Sequence, residues 1–192
     1  VHNEPMNQYI DAIRKDDWHT VGNLLRRSAE MLARCGARVC MTPDNIVQHG
    51  LHLAQANSPI PWMTMSDLVA KAIESDGRKK VGIIGTKLVT MSSTYQTHLG
   101  LKGIQVIAPD THEAELLDEI IFGELIYGTA RPESRAAIYG VMDRLIQRGC
   151  EGVIVACSEV PLVVNQESAP TKLYDSADLL AEGAVRYAAG HS

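Results

Sequence analysis

Apolar residues follow two different spacings along this chain. Short apolar runs of strand length lie at residues 38–42, 60–65, 80–85, 104–108 and 152–156. Between them, apolar residues recur every three to four positions, which predicts helices at 6–15, 18–35, 45–56, 66–76, 91–100, 113–127, 132–149 and 176–189. Strands that alternate with helices favour a parallel sheet with helices on both faces. The predicted fold class is therefore α/β.

An internal repeat divides the chain into two lobes. The segment LLRRSAEMLARCGARVCMTPDN aligns without gaps with AIYGVMDRLIQRGCEGVIVACS when Asp44 is placed opposite Cys157. Gly36 and Gly149 each lie eight residues before these positions and each ends a predicted helix. A second match joins SDLVAKAI to ADLLAEGAV. The repeat predicts two lobes of one design, each with a parallel sheet.

The repeat also predicts how the lobes divide the sequence. We assign residues 1–77 and 176–192 to lobe 1 and residues 78–175 to lobe 2, with an active-site cleft between them. The second lobe opens with KKVGIIGT, a strand and glycine turn that has no counterpart in the first. We therefore expect that the first strand of lobe 1 is missing from the N-terminus of this sequence.

Composition and charge limit the classes of binding partner that we expect. The 192 residues are 45% hydrophobic with a formal charge of −5, and no basic stripe of the kind that binds phosphates is present, so nucleic acid is not expected. No apolar stretch reaches the roughly 20 residues needed to span a bilayer, and no signal peptide is evident, which predicts a cytoplasmic protein with no membrane partner. The four cysteines form no CxxC pair, and His49 and His52 lack a nearby third ligand, so no metal is expected.

Residues that directly follow strands are the candidates for chemistry, because ligands collect at the carboxyl ends of parallel strands. This rule selects Thr86, the Asp44-Asn45 pair, and Cys157 with Ser158 and Glu159. We expect helices to start at Asn45 and Ser158, so that free N–H groups hold a substrate carboxylate. A helix N-terminus would also lower the pKa of the Cys157 thiol and favour a thiolate near neutral pH.

These segments resemble the aspartate/glutamate racemase superfamily. GCEGVIVACSEVPLVV resembles the second-lobe signature, in which a cysteine is followed by Thr or Ser, Glu, an apolar residue and Pro. IPWMTMSDLVAKAI, KKVGIIGTK, IIFGELIYG and LYDSADLLAEGAV resemble further family segments in the same order. The resemblance implies two flavodoxin-like lobes, a homodimer, and cofactor-independent inversion at the α-carbon of an amino acid. It implies that Cys157 is one of the two acid/base groups and that Ser158 and Glu159 contact the substrate.

The first lobe departs from the family pattern. Gapless spacing puts Asp44 where a catalytic Cys or Thr usually stands, and Asn45 then matches a substrate-binding asparagine. A rival alignment makes Cys40 the catalytic residue. Asn3 and Thr86 are further candidate substrate contacts. Tyr127 stands where members with acidic substrates often carry a lysine, so a strict aspartate racemase is in doubt.

The predicted function is a racemase or epimerase, an isomerase acting on an acidic or small polar amino acid with Cys157 and Asp44 as its acid/base pair. Three alternatives remain open: an arylmalonate-type decarboxylase, a maleate-type isomerase using Cys157, and a small-ligand binding protein whose catalytic pair has decayed.

Overall fold

The computed structural model describes residues 1–190. They divide into two compact units, Val1–Thr64 and a second unit that begins at Met65. Helices α4 (Met65–Ser75) and α9 (Ser176–Ala188), which the sequence analysis assigned to the first lobe, fall in the second unit and pack on each other. The assignment of these two helices to lobe 1 stays a prediction.

The first unit is built from three helices, α1 (Met6–Arg14), α2 (Trp18–Arg34) and α3 (Gln48–Gln55). Asp17 caps α2 by accepting from the Thr20 amide at 3.0 Å, and Gly36 ends it with a positive φ of 87°. The core of this unit consists of apolar side chains from all three helices, namely Ala12, Val21, Leu25, Val47, Leu51 and Ala54.

The strands predicted at 38–42 and 60–65 are reduced to one parallel bridge between Cys40 and Trp62. The Cys40 amide donates to Pro61 O and the Met63 amide donates to Cys40 O, both at 2.8 Å. Pro59, Pro61 and Pro43 carry no amide hydrogen, so the ladder cannot extend past this bridge on the proline side.

The second unit contains a four-stranded parallel sheet of order β2-β1-β3-β4. Its strands are β1 (Lys80–Gly85), β2 (Gln105–Ile107), β3 (Gly152–Ala156) and β4 (Lys172–Asp175). The remaining helices are α5 (Lys87–Thr90), α6 (Thr94–Gly100), α7 (Thr111–Gly123) and α8 (Pro132–Gln147). This order matches the first four strands of the flavodoxin-like pattern, so the α/β prediction is confirmed.

The two central strands are buried on both faces. Ile84, Val153 and Val155 pack against α7 and α8, in one cluster with Leu117, Ile138, Val141 and Leu145. Because side chains alternate along a strand, Ile83 and Ile154 point to the opposite face, where α9 contacts β3. A parallel sheet covered on both faces explains why these strands are continuous apolar runs in the sequence.

The start of α7 is capped by side chains of its own first turn. Asp110 accepts from the Glu113 amide and Glu113 accepts from the Asp110 amide, both at 2.8 Å, which forms a capping box at the start of α7. No helix among the described residues is long and apolar enough to cross a membrane.

Close backbone approach at Gly85 yields a stability prediction. A Cβ atom at Gly85 would lie 2.6 Å from the carbonyl oxygen of Ala156 and 3.1 Å from its carbon, and backbone atoms in a central strand cannot move aside cheaply. We expect Gly85→Ala to lower the free energy of unfolding by about 1 to 3 kcal/mol, measured by urea denaturation. The matched control is Gly100→Ala, because a Cβ atom at Gly100 meets no atom within 4 Å. Equal stability of the two variants would contradict the prediction.

Candidate active site at the ends of the central strands

The strand order places a topological switch point between β1 and β3. The chain runs from β1 to β2 on one side, and β3 pairs with β1 on the other side. Ligands of open parallel sheets bind at the carboxyl ends of the strands where the order reverses. Gly85 pairs with Ala156, so Thr86 and Cys157 are the first residues beyond the paired ends of the two strands. The fold therefore brings together two of the residues that the sequence singled out.

Cys157 is buried beside a carboxylate. Its side chain is 5% exposed and packs in the apolar cluster with Val155 and Val160. The thiol donates to Glu159 Oε2 at 3.1 Å, and the exposed Ser158 hydroxyl donates to Glu159 Oε1 at 2.9 Å. Both carboxylate oxygens of Glu159 thus accept hydrogen bonds from Cys157 and Ser158, and Glu159 orients the Cys157 thiol.

The segment after Cys157 does not form the helix that the sequence analysis expected at Ser158. It forms a short 3-10 turn at Val160–Leu162, with Pro161 inside it. Ser158 and Glu159 lie in bends before that turn. The Leu162 amide donates to Glu159 O and the Val163 amide donates to Val160 O, and these three-residue spacings define a 3-10 turn.

The expectation of a thiolate at Cys157 is wrong for the unliganded protein. Burial raises the pKa of the Cys157 thiol to about 12, with the hydrogen bond to Glu159 adding to that rise. Hydrogen bonds from the Glu159 and Val160 amides lower the pKa of this thiol but do not offset the burial. Cys157 is therefore a protonated thiol, suited to donate a proton to a substrate carbon.

Thr86 carries an unused hydrogen-bonding group at the end of the strand that pairs with the Cys157 strand. The residue is 6% exposed, and its hydroxyl has no hydrogen-bond partner among residues 1–190. Its carbonyl accepts from the Thr90 amide at 2.9 Å and from the Thr90 hydroxyl at 3.1 Å, which fixes the backbone at this strand end. A buried hydroxyl without a partner is costly, so this group is suited to a polar ligand.

Asp44, the residue that the repeat places opposite Cys157, lies half-buried in the first unit. Its Oδ1 accepts from the Val47 amide at 3.0 Å, while Gln48 Nε2 bonds its carbonyl and that of Thr42. Helix α3 begins at Gln48, so the helix start expected at Asn45 is wrong by three residues. The Asp44 carboxylate therefore stabilises the turn that leads into α3, which is a structural role.

The other first-lobe candidates differ in exposure. Asn45 is buried, whereas Asn3 is exposed near the N-terminus. Cys40, the catalytic residue of the rival alignment, is buried in the isolated bridge, and burial raises the pKa of its thiol. Among residues 1–190, no cluster of three or more His, Cys, Asp or Glu side chains is suited to a metal ion. The His49 ring instead stacks edge-on against Trp18, with ring centroids 4.4 Å apart.

Sequence reasoning missed one polar residue at this edge of the sheet. Ser176 is the first residue after β4, and its hydroxyl donates to Val155 O at 2.9 Å. The rule that selects residues after strands would have found it, but KLYD is too short and too mixed to predict a strand.

Thiol alkylation tests the protonation state of Cys157. We expect its alkylation by iodoacetamide to rise about tenfold for each pH unit from 7 to beyond 10 without levelling, because the rate follows the thiolate fraction. Glu159→Gln removes a negative charge that raises the pKa of the thiol, so its rate curve should move to lower pH. Peptide-resolved mass spectrometry gives the rates, and the exposed Cys35 in the same sample controls for the reagent. A plateau of the Cys157 rate between pH 8 and 9 would contradict the prediction.

Comparisons with known proteins identify relatives that share this fold. A protein from Yersinia pestis described as a candidate Asp/Glu racemase has a structure that superposes with a TM-score of 0.92 at 30% identity, covering 98% of this chain and 82% of that one. An aspartate racemase homologue from Pyrococcus horikoshii superposes with a TM-score of 0.82 at 28% identity, covering 91% and 76%. An uncharacterised protein from Pectobacterium carotovorum is 26% identical over 132 residues, which are 68% of this chain and 87% of that protein.

More distant structures share the fold. Glutamate racemase from Francisella tularensis, solved with D-glutamate, superposes with a TM-score of 0.62 at 15% identity, covering 91% of this chain and 66% of that one. The family match and the nearer relatives support a racemase-type function, that of an isomerase. The model of the Asp/Glu/hydantoin racemase family matches residues 1–184, and the chain therefore belongs to this family.

Proposed function

We propose that this protein is a cofactor-independent racemase or epimerase of an acidic or small polar amino acid, with Cys157 as one acid/base and Asp44 as the other. The observation that carries the proposal is the buried Cys157 thiol at the switch point of the parallel sheet, with the unpartnered Thr86 hydroxyl at the end of the neighbouring strand. The family membership supports the reaction type.

The proposed reaction needs one group to remove the α-proton and another to supply a proton to the opposite face. In one direction, the Asp44 carboxylate takes the proton and the Cys157 thiol, already protonated, delivers its own to the carbanion. In the other direction, Cys157 must first lose its proton before it can act as a base. Its raised pKa makes this deprotonation unfavourable. The Thr86 hydroxyl would donate to the substrate carboxylate, where negative charge grows as the α-proton leaves.

The pairing of Asp44 with Cys157 rests on the internal repeat of the sequence, which aligns the two residues without gaps. A carboxylate is a weak base for an α-proton, and Asp44 already accepts from the Val47 amide with one oxygen. Its second oxygen would act as the base. Asn45 and Asn3 are proposed as substrate contacts on the first-lobe side, with Ser158 and Glu159 on the second.

The proposed substrate class is broader than aspartate. The relative from Pyrococcus horikoshii is described as an aspartate racemase homologue, which favours an amino acid with an acidic side chain. Tyr127, however, stands on the segment ELIYG where members with acidic substrates often have a lysine, and its side chain is 75% exposed. A small polar amino acid therefore stays within the proposal. A homodimer and a cytoplasmic location also remain predictions.

Proton exchange in D₂O separates the roles of the two acid/base groups. We expect the unaltered protein to invert both enantiomers with deuterium uptake at the α-carbon. Asp44→Asn and Cys157→Ser should each slow inversion on the order of 10²- to 10⁴-fold, because each removes one proton-transfer group. Each variant should still exchange the α-proton of one enantiomer without inverting it, and the two variants should retain opposite enantiomers. Chiral chromatography and NMR measure inversion and exchange.

The control for capping is Asp17→Asn, because Asp17 accepts from the Thr20 amide at 3.0 Å just as Asp44 accepts from the Val47 amide. Asn keeps a capping oxygen in both variants. Inversion at the unaltered rate in Asp44→Asn would show that Asp44 only stabilises the turn before α3. Since the equilibrium constant of racemisation is one, kcat/KM must be equal for the two enantiomers, and asymmetry has to be sought in kcat and KM separately.

A second candidate function is decarboxylation of a substituted malonate, and the protonated state of Cys157 favours it. The substrate would lose one carboxyl group as carbon dioxide, and the Cys157 thiol would then protonate the α-carbon of the resulting enediolate. Solvent would return the proton to the thiolate. No base on the first lobe is needed. The fold accommodates this possibility, because arylmalonate decarboxylase superposes with a TM-score of 0.57 at 14% identity.

Carbon dioxide release from 2-substituted malonates decides between the two reactions. If the second candidate is right, the unaltered protein releases carbon dioxide, Cys157→Ser loses this activity, and Asp44→Asn keeps it. Racemisation without carbon dioxide release would exclude decarboxylation and leave the first proposal.

A further inference from the structure

A chain of buried hydroxyl groups ends on the strand that carries Cys157. Ser176 and Tyr95 are both 0% exposed, Ser176 at the start of α9 and Tyr95 in α6. The Ser176 hydroxyl donates to the carbonyl oxygen of Val155 at 2.9 Å. The Tyr95 hydroxyl is hydrogen-bonded to the Ser176 side chain. This chain of hydrogen bonds therefore joins α6 and α9 to the end of β3.

The donor in each of these hydrogen bonds follows from the number of hydroxyl hydrogens available. A carbonyl oxygen can only accept, so Ser176 uses its single hydroxyl hydrogen on Val155. The hydrogen between the two side chains must then come from Tyr95. Burial raises the pKa of the Tyr95 phenol, which keeps that hydrogen in place. Tyr95 donates to Ser176, and Ser176 donates to Val155.

The Val155 carbonyl, at which these hydrogen bonds end, lies two residues before Cys157. Val155 pairs with Ile84 on one side and with Asp175 on the other, and Ala156 is the last residue of β3 in the ladder. Beyond Ala156 the backbone leaves the sheet and continues through bends into a 3-10 turn. A bond to Val155 from outside the ladder thus restrains the strand where it is about to end.

We propose that Tyr95 and Ser176 are positioning residues, which hold the end of β3 so that the Cys157 thiol keeps its place and its burial in the apolar cluster. Neither touches the substrate. The inference deepens the proposed function, in which Cys157 transfers a proton. A misplacement of about 1 Å in a catalytic group can cost on the order of 10²-fold in rate, so a loosened strand end should slow proton transfer.

Tyr174 offers a matched control for Tyr95. It is also a buried tyrosine, 2% exposed, and its hydroxyl donates to Asp76 Oδ2 at 2.8 Å. Asp76 lies at the end of the helix–turn that precedes β1, so this bond holds the amino end of the sheet instead of the carboxyl end. Tyr95→Phe and Tyr174→Phe each remove one buried hydroxyl and keep the ring.

The experiment compares these two variants in three measurements: the urea midpoint, the alkylation rate of Cys157 at pH 9, and kcat and KM of the racemisation. We expect both variants to lower the urea midpoint by similar amounts. Only Tyr95→Phe should raise the alkylation rate, by about threefold or more, because local opening exposes the thiol. Only Tyr95→Phe should lower kcat, by about tenfold, with KM changed by less than about twofold.

Equal alkylation rates and equal kcat values in the two variants would overturn the proposal, since Tyr95 would then be a stabilising core residue like Tyr174. If Tyr95→Phe does not fold, Ser176→Ala removes the same link to Val155 and replaces it in the comparison. If the unaltered protein racemises no amino acid, the proposed function fails, while the alkylation rates still decide whether Tyr95 positions the thiol.

Discussion

The parallel pairing of β1 with β3 is the constraint on which the site depends. At the end of this pairing, Gly85 lies opposite Ala156, so close that a single methyl group on Gly85 would collide with the Ala156 backbone. This approach places Thr86 and Cys157 at adjacent strand ends. The strand order creates the switch point, because β2 and β3 lie on opposite sides of β1. A wider spacing would open the apolar cluster in which Cys157 is buried.

Burial then decides the chemical state of the thiol. Cys157 lies in the same apolar cluster as Val155 and Val160, and its hydrogen bond goes to a carboxylate instead of a cation. Both features favour the neutral form, since a thiolate would lose its hydration and face a negative charge. The unliganded site therefore holds a proton ready for donation. That is why a one-way proton donor, as in decarboxylation, is a serious second candidate beside a two-base racemase.

The internal repeat correctly aligned two helix ends, because Gly36 and Gly149 both adopt positive φ, 87° and 86°, after helices α2 and α8. Beyond those points the two segments differ. After Gly149 the chain forms a buried strand with partners on both sides, whereas after Gly36 it forms a single bridge between Cys40 and Trp62. The prolines around the bridge explain the difference, since they lack the amide hydrogens that a ladder requires. A sequence repeat reflects apolar spacing and turn residues. It does not guarantee that both copies form the same strand pairing.

The sequence by itself determined the α/β class, most helices to within a few residues, and the position of Cys157 directly after a central strand. These features depend on local periodicity and on glycine and proline, which act within a few residues of the chain. Only the tertiary structure decided that Ser158 lies in a bend before a 3-10 turn, that Glu159 accepts the thiol hydrogen, and that the Cys157 thiol stays protonated. It also brought in Tyr95 and Ser176, which lie 62 and 19 residues from Cys157 along the chain. Protonation and hydrogen bonding depend on which distant side chains surround a group, and local sequence patterns do not contain that information.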